Sequence, residues 1–461
     1  MSFQNIVLGW APVVTCIWRH LMCVLLRLDA PAAFRYNERR NHLPYITMKR
    51  GTCTMRLSQK DRERLRELAA RQAELAASER NRQLYQDWLA YAAKGGTARP
   101  MIRIELDTFE QDVLPPLMRC EGDAARAIER RLLRPMANFA LFEDDTLVPA
   151  YYAVRDRLTF LPFGLTPRRR ETGGVGHHFI PYLHDLEADE HLLGHSVFSV
   201  DEAGAEQERA EAEAIFGDVL PVRRAGGCLV ACPTQDIVHI MNMDDMYMAM
   251  VDDEERFDSM MRRLTDDYLA FFRMLAQGGH LRACARDQHL NQGSYCFTDE
   301  LPNDLAGAAL EDCWLYMDAQ EMSGASPAMY EALVFPHYKK LMDAFGLISY
   351  GCCEATHPIW RNCLSHVANL RKVSISPWCD EDAMGEALRG TGITYLRKPP
   401  ATLLGVGAAL DEDAVTQCFR KTAAAAKGCT LEIAQRDVYQ IHSSPEKVRR
   451  YVALIRAALG A

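Results

Sequence analysis

The chain has 461 residues, of which 48% are hydrophobic and 25% charged, so it has enough apolar material for a large core and is not disordered. Its formal net charge of -9 argues against a nucleic-acid partner, because phosphate binding needs a basic stripe. Fifteen cysteines lie scattered without regular spacing, which indicates reduced thiols and a cytoplasmic location.

The amino-terminal segment differs from the rest of the chain. Its apolar stretch 6–28 is interrupted by Arg19, His20 and Arg27, so we expect no membrane-spanning helix and no membrane partner. The basic composition and broken periodicity do not continue the pattern that follows. We therefore predict that residues 1–54 form a poorly ordered extension.

Residues 55–98 are predicted to form helices that precede the main domain. Ser58 can cap the first helix, leucines recur there at helical spacing, and Gly95 with Gly96 forms a typical stop signal. The segment 101–106 then alternates apolar and polar residues, which is typical of a half-buried strand. It is the predicted first strand of the main domain.

From residue 256 onward, short strands alternate with helices. We predict strands at 315–317, 347–350, 371–376, 394–397 and 430–433, and helices at 256–276, 327–344, 359–366, 381–388, 412–426 and from residue 445. This alternation indicates βαβ units and a parallel sheet. An open doubly wound sheet would usually carry a Gly-rich phosphate turn after its first strand, and none is present. We therefore predict an α/β fold, a (β/α)₈ TIM barrel over residues 99–461 with an N-terminal helical extension.

The active site of such a barrel lies at the carboxyl ends of its strands. Cys352, Cys353 and Glu354 follow the predicted strand 347–350 almost directly. Two thiols and a carboxylate are ligands that zinc uses. An open fourth position on the ion would admit a substrate thiol, and the zinc would lower the pKa of that thiol. The alternative that the adjacent cysteines are buried core residues stays open, because no paired Cys-x-x-Cys motif accompanies them.

Other predicted strand ends also carry polar residues. Gln320 and Glu321 follow one strand, and Glu321 could act as an acid, a base or a metal ligand. Arg397 is the first of two cations at another strand end, where a substrate carboxylate or phosphate could bind. Asp437 follows the last strand and could complete a metal site opposite Cys352. Each of these groups could instead be a solvated or structural charge.

Several segments resemble the uroporphyrinogen decarboxylase superfamily. The similarity lies in the order and spacing of Ser326-Pro327, Phe335-Pro336-His337-Tyr338-Lys339-Lys340, and Ser444-Pro445-Glu446-Lys447-Val448 near the end of the chain. The resemblance covers residues 100–461 and implies a TIM barrel.

Within that superfamily the chain resembles an uncharacterised branch near the zinc-dependent methylcobamide:thiol methyltransferases. Those enzymes carry a His-x-Cys zinc motif where this chain has Tyr350-Gly351-Cys352, so Cys352 matches and Tyr350 replaces the histidine. Cys353 or Glu354 would then substitute as a ligand. The resemblance implies a zinc ion, a corrinoid methyl donor on a partner protein, and a thiol or similar small molecule as acceptor.

Two other functions stay open. The segment 142–149 partly resembles the acidic stretch of haem-pathway decarboxylases, so Asp144 or Asp145 would serve a tetrapyrrole decarboxylase, although the arginine motif of those enzymes is absent. A barrel that binds a corrinoid or tetrapyrrole without converting it is the third hypothesis. For the leading hypothesis of methyl transfer, the predicted residues are Glu321 and Asp437 as catalytic, Gln320, Tyr350, Arg397 and Asp145 as substrate-binding, and Cys352, Cys353 and Glu354 as metal-binding.

Overall fold

The structure is a computed structural model that describes residues 57–93, 99–171 and 177–460. The prediction for residues 1–54 lies outside the described residues. Among the helices of the described part, none is long and apolar enough to cross a membrane.

Contacts within the chain define a large unit and a small unit. Of the described residues, 57–93, 99–168 and 179–460 belong to the large unit, and 169–171 with 177–178 belong to the small unit. The strands are β1 (Met101–Ile104), β2 (Tyr152–Val154), β3 (Arg157–Leu161), β4 (Arg168–Glu171), β5 (His177–Ile180), β6 (Val197–Asp201), β7 (Val222–Arg224), β8 (Leu229–Val230), β9 (His289–Leu290), β10 (Ser294–Tyr295), β11 (Trp314–Met317), β12 (Leu347–Tyr350), β13 (Leu370–Ile375), β14 (Thr394–Arg397) and β15 (Thr430–Gln435).

The α-helices lie mostly between these strands. They are α1 (Gln59–Ala76), α2 (Glu79–Ala92), α3 (Glu110–Val113), α4 (Asp123–Ala137), α5 (Leu186–Asp189), α6 (Glu202–Phe216), α7 (Pro233–Val238), α8 (Met243–Asp252), α9 (Glu254–Gln277), α10 (Pro327–Leu333), α11 (Phe335–Met342), α12 (His357–Trp360), α13 (Glu381–Leu388), α14 (Thr402–Gly405), α15 (Glu412–Ala425) and α16 (Pro445–Leu459). A 3₁₀ turn, Gln320–Gly324, follows β11.

One parallel sheet of seven strands organises the large unit. Its strand order is β1-β15-β14-β13-β12-β11-β8. Every residue of β1, β11, β12 and β14 is buried, as expected for parallel strands that are covered on both faces. The sheet curls into a half-barrel, and no strand of the described residues joins β1 to β8. The predicted α/β, barrel-like class is confirmed, whereas a closed ring of eight strands is not formed by the described strands.

The predicted helix 327–344 is divided in the structure into α10 and α11. Pro336, near the start of α11, lacks the amide hydrogen that a continuous helix would need, and its ring would clash with the carbonyl group of Ala332 in such a helix. The helices predicted within residues 55–98 are α1 and α2, and the Ser78 hydroxyl caps α2 by accepting a hydrogen bond from Asn81 N.

Buried aspartates cover the outer edge of β1 where a neighbouring strand would otherwise pair. Asp145 Oδ2 accepts a hydrogen bond from Ile102 N at 2.7 Å, and Asp144 Oδ2 accepts one from Ile104 N at 2.9 Å. Asp145 N donates to Ile102 O at 2.8 Å. The backbone of this edge is therefore satisfied without a full strand.

The face of the sheet that points away from α10, α13 and α15 is called the inner face here, and the hairpin β9–β10 packs against it. Lys372 on β13 donates to Ser294 Oγ at 2.7 Å and to Glu432 Oε2 on β15 at 2.9 Å. Arg103 on β1 donates to Gly293 O in the hairpin turn at 2.7 Å. The hairpin thus contacts β1 and β13 directly and is linked to β15 through Lys372.

Asp145 also provides the counter-charge for Arg99 and Arg456, whose guanidinium nitrogens lie 2.9 and 2.8 Å from it. The substitution Asp145→Asn should lower the free energy of unfolding by about 3 kcal/mol, because it leaves the partly buried Arg456 without a carboxylate partner and Arg99 with that of Asp87 alone. Chemical denaturation measures this loss. The exposed pair Glu412 and Arg450 supplies the control, Glu412→Gln, which should hardly change stability. Equal losses in the two variants would contradict the assigned role.

Candidate functional site

The carboxyl ends of β11, β12, β14 and β15, two pairs of neighbouring strands on either side of β13, bring together carboxylates, thiols and two cations. Asp318 follows β11, Cys352 lies just beyond β12, Lys398 follows β14 and Arg436 follows β15. All four side chains are buried. This end of a parallel half-barrel sheet is where enzymes of barrel folds carry their active sites.

Two buried glutamates, Glu321 and Glu354, follow β11 and β12 and form with Asp318 what is called here the acidic side of the site. Glu354 Oε1 accepts a hydrogen bond from Ala319 N at 3.1 Å, and its Oε2 accepts one from Cys352 N at 2.8 Å. Glu321 Oε2 accepts a hydrogen bond from Thr234 Oγ1 at 2.9 Å. Glu354 thus ties the loop after β12 to the loop after β11, while Glu321 is held by one hydroxyl.

The two glutamates have raised pKa values. Burial and, second, the nearby charge of Asp318 together raise the pKa of Glu321 to about 8. Burial and the same aspartate raise the pKa of Glu354 to about 7. A carboxyl group whose pKa lies near neutrality can both donate and accept a proton under ordinary conditions.

Asp318 lies at the centre of the cluster. Its Oδ2 accepts a hydrogen bond from Tyr316 Oη at 2.5 Å, while its buried Oδ1 has no hydrogen-bond partner of ordinary geometry in the described residues, and the Cys232 thiol lowers the pKa of the carboxyl group. Asp318 is close enough to shift the pKa of both Glu321 and Cys352 through its charge. The acids and the thiols therefore belong to one site.

The two adjacent thiols face each other, with 3.5 Å between Cys352 Sγ and Cys353 Sγ. Their hydrogen bond raises the pKa of Cys352 and lowers the pKa of Cys353. Cys353 Sγ lies 4.0 Å from Asp437 Oδ2, so the predicted catalytic Asp437 borders the thiol pair. Asp437 is partly buried and has a left-handed backbone with φ of 57°.

Lys398 and Arg436 form the cationic side of the site. Lys398 Nζ donates to Gln292 Oε1 at 2.7 Å and to Gly351 O at 3.0 Å, and burial lowers its pKa. Arg436 Nε pairs with Glu105 Oε2 at 2.9 Å, and its Nη1 also donates to Gln292 Oε1. Both cations thus share one neutral amide oxygen.

The donor set does not make a zinc site. In the described part of the chain, no group of three or more His, Cys, Asp or Glu side chains is arranged to hold a metal ion. Both oxygens of Glu354 accept backbone hydrogen bonds. Arg436 Nη1 lies 3.9 Å from Cys352 Sγ, and a cation beside the thiol disfavours a divalent ion there. Zinc stays a prediction from the sequence.

The predicted substrate-binding residues are distributed over different places. Gln320 begins the 3₁₀ turn that carries Glu321 and is partly buried beside the site. Tyr350 is fully buried, and its hydroxyl lies 2.8 Å from that of Tyr330 on α10, so it points to the helix layer. Asp145 lies at the edge of β1 with its arginine partners.

Arg397 needs a correction, because it faces the opposite side of the sheet from the cluster. Its Nη2 pairs with Glu381 Oε1 on α13 at 3.0 Å, and its Nε donates to Thr422 Oγ1 on α15 at 3.3 Å. Side chains of successive strand residues alternate between the two faces, so Lys398 points to the site and Arg397 to the helices. Arg397 is therefore a structural charge that pairs with Glu381, and the cation directed at the site is Lys398.

The sequence interpretation also missed Asp318, Thr234 and Gln292. Asp318 directly follows β11, so its place at a strand end is a signal that would have selected it. Gln292 had a weak signal, since Asn291-Gln292-Gly293 is a turn sequence and the residue pairs on either side of it end in Leu290 and Tyr295. Nothing local identifies Thr234, which reaches Glu321 across 87 positions of sequence.

Comparisons with known proteins leave the family open. No protein-family model matches the sequence, and no curated protein matches it significantly. Among solved structures, a methyltransferase from Methanosarcina mazei is similar to this chain with 13% identity and a TM-score of 0.44, over 82% of this chain and 98% of that one. A similarity of this degree decides neither family nor reaction, so function must come from the residues.

The raised pKa of Glu321 makes stability depend on pH. An unfolded chain releases this proton near pH 4.5, whereas the folded chain keeps it until about pH 8, so the folded state binds more protons between these values and loses stability as pH rises. In Glu321→Gln this loss disappears. We compare the melting temperature of the variant minus that of wild type at two pH values. This difference should be about 5 °C larger at pH 8.5 than at pH 5.

The matched control is Glu386→Gln, because Glu386 is exposed on α13. Its melting temperature relative to wild type should be the same at both pH values. If Glu321→Gln behaves as this control does, the glutamate is ionised in the folded protein and the acidic side is misassigned.

Metal analysis decides the zinc prediction. Because the described donor set lacks a third convergent ligand, protein purified in zinc-supplemented buffer should contain far less than one zinc per chain, and Cys352→Ser should not change that content. Elemental analysis with a parallel thermal melt measures both. About one zinc per chain in wild type, lost in a folded Cys352→Ser, would restore the zinc site.

Proposed function

We propose that this chain is an enzyme that transfers a methyl group to a small-molecule acceptor, with Glu321 as the general base. The observation that supports the catalytic part is the buried Glu321 carboxyl, whose pKa of about 8 suits proton exchange near neutrality. It shares a site with a thiol pair and lies at the carboxyl end of a half-barrel sheet. The identity of the transferred group as methyl rests on the sequence resemblance alone.

The proposed step balances without a metal. The acceptor's thiol sulfur uses an electron pair to form a bond to the methyl carbon, and the bond from that carbon to the donor breaks with its electrons remaining on the donor. The acceptor's proton passes to the ionised fraction of Glu321. Thr234 Oγ1 holds that carboxylate at 2.9 Å, and Asp318 keeps its proton affinity high.

The surroundings of the acid favour such a reaction. Glu321 and Glu354 are 5% and 4% exposed, so water has little access to the proton that they exchange. Asp437 borders Cys353 and stays a predicted second catalytic group. The corrinoid donor on a partner protein, the relation to the uroporphyrinogen decarboxylase superfamily and the exact acceptor are parts of the proposal that rest on the sequence.

Tetrapyrrole decarboxylation is the less favoured function. Its acids would be Asp144 or Asp145, yet both accept hydrogen bonds from the backbone of β1, and Asp145 also pairs with two arginines. Groups that hold a sheet edge in this way are not available to a substrate. The remaining hypothesis, a barrel that binds without converting its ligand, is separated by an activity measurement.

The activity test uses methylcobalamin as methyl donor and 2-mercaptoethanol as acceptor. Wild type should demethylate the corrinoid, seen as a change in its visible spectrum, and produce the methyl thioether, detected by mass spectrometry. The rate should rise with pH and level off above about pH 8, because the base must be ionised. Glu321→Gln should lower the rate about 100-fold or more and abolish this dependence.

Glu386→Gln is again the control and should keep the rate and pH profile of wild type. An unchanged rate in Glu321→Gln would remove the glutamate from the mechanism. If wild type produces no thioether with either methylcobalamin or a methylated corrinoid protein, methyl transfer to thiols fails as the function.

A further inference from the structure

The end of β14 carries a buried lysine whose hydrogen-bond acceptors are all neutral. Lys398 is 5% exposed, and its Nζ donates to Gln292 Oε1, Gly351 O and Cys352 O at 2.7, 3.0 and 3.1 Å. Within the described residues, no carboxylate lies at ion-pair distance from it, although the thiols of Cys352 and Cys353 and the carboxyl groups of Glu354 and Asp318 act on it electrostatically. A buried cation is costly unless an anion compensates it.

The neighbouring strand shows how a structural lysine is compensated in this sheet. Lys372 on β13 is 2% exposed, and it pairs with Glu432 Oε2 at 2.9 Å. It also donates to Ser294 Oγ and Tyr295 O. Lys398 has the same burial and a similar number of hydrogen bonds, but its set of acceptors contains no carboxylate.

A neutral amide oxygen, Gln292 Oε1, lies between two cations, where an anion would be expected. Gln292 Oε1 accepts hydrogen bonds from both Lys398 Nζ and Arg436 Nη1. Arg436 uses its Nε for Glu105, so Nη1 is the part of its guanidinium directed at Gln292. A carboxylate is a stronger acceptor for two cationic donors than an amide of the same planar shape.

The side chain of Gln292 reaches this position through a turn of unusual conformation. Gln292 has φ of 66° and Gly293 has φ of 77°, so a non-glycine residue takes up the left-handed region. A Cβ at position 293 would lie 3.3 Å from the Cβ of Ala434, so glycine lets the turn approach β15 closely. Strands of only two residues flank this turn, so few backbone hydrogen bonds hold it.

We propose that Lys398 and Arg436 form the binding site for a carboxylate group of the substrate, and that the Gln292 amide occupies this site until the carboxylate displaces it. The amide matches a carboxylate in size and planar shape, whereas a tetrahedral phosphate is larger. The proposal rests on the proposed function only in taking the ligand to be the methyl acceptor. That acceptor is then a thiol that carries a carboxylate.

Binding of propionate, which has no thiol, tests the site separately from catalysis. Titration calorimetry and thermal melts at constant ionic strength should show that propionate binds wild type and raises its melting temperature more than chloride does. Lys398→Met should lose this binding, by about 30-fold or more in Kd, because one of the two charged donors is gone. A response to propionate no larger than that to chloride overturns the proposal, as does tighter binding of phosphate.

Two substitutions of Gln292 should act in opposite directions, which a folding defect cannot imitate. Gln292→Glu places a carboxylate permanently between the cations, so it should raise the melting temperature by about 3 °C and abolish propionate binding. Gln292→Gly removes the amide and suits the positive φ, so it should bind propionate several-fold more tightly than wild type. Weaker binding in Gln292→Gly would contradict the displacement.

Asn291→Asp is the matched charge control. It adds a negative charge in the same turn while its Oδ1 can still accept the hydrogen bond from Gln292 N. Propionate should bind this variant as it binds wild type, and equal loss in Asn291→Asp and Gln292→Glu would attribute the effect to general charge. Propionate binding without methyl transfer would refute only the proposed function, and methylation of 2-mercaptoethanol without propionate binding would refute only the carboxylate site.

Discussion

The ion pair between Lys372 and Glu432 is the interaction on which the inner face of the sheet depends. It joins β13 to β15 at 2.9 Å with both side chains almost fully buried, and the same ammonium group holds the hairpin β9–β10 through Ser294. A buried pair of this kind offers little net stability, but loss of either partner is strongly destabilising. The pair therefore fixes where the hairpin lies. It also fixes the position of Gln292 at the rim, the edge formed by the carboxyl ends of the sheet strands.

The rim itself separates two kinds of charge. Burial and the nearby charge of Asp318 raise the pKa of Glu321 after β11 to about 8 and that of Glu354 after β12 to about 7, while Lys398 after β14 and Arg436 after β15 donate hydrogen bonds to oxygens. The thiols lie between them, with Cys352 in range of both Asp318 and Arg436. An elongated substrate with one anionic end and one protonated end matches this division.

The sequence predicted the sheet well because its strands are short apolar runs between helices of clear periodicity. The bounds of β12 and β14 agree with prediction to the residue. The open edge at β1, where a closed ring had been predicted, could not be foreseen, because its covering depends on hydrogen bonds from the backbone to the side chains of Asp144 and Asp145, which no periodicity reveals.

The site was predicted in part for a similar reason. The rule that chemistry follows strand ends led to Glu321, Cys352 and Cys353. It could not say which of Arg397 and Lys398 faces the inner side, since that requires the register of β14. Gln292 lies in a hairpin outside the βαβ pattern and reaches Lys398 across 106 positions of sequence, so only the folded chain brings them together.

The aspartate-covered edge of β1 also affects how two copies of this chain can associate. An open edge of a parallel sheet is a template on which another chain can add a strand, and such addition is a common route to aggregation. Here the amides of Ile102 and Ile104 already donate to carboxylates of the same chain. Self-association through this edge would therefore begin with detachment of the short segment around Asp144, a local opening that needs much less free energy than global unfolding.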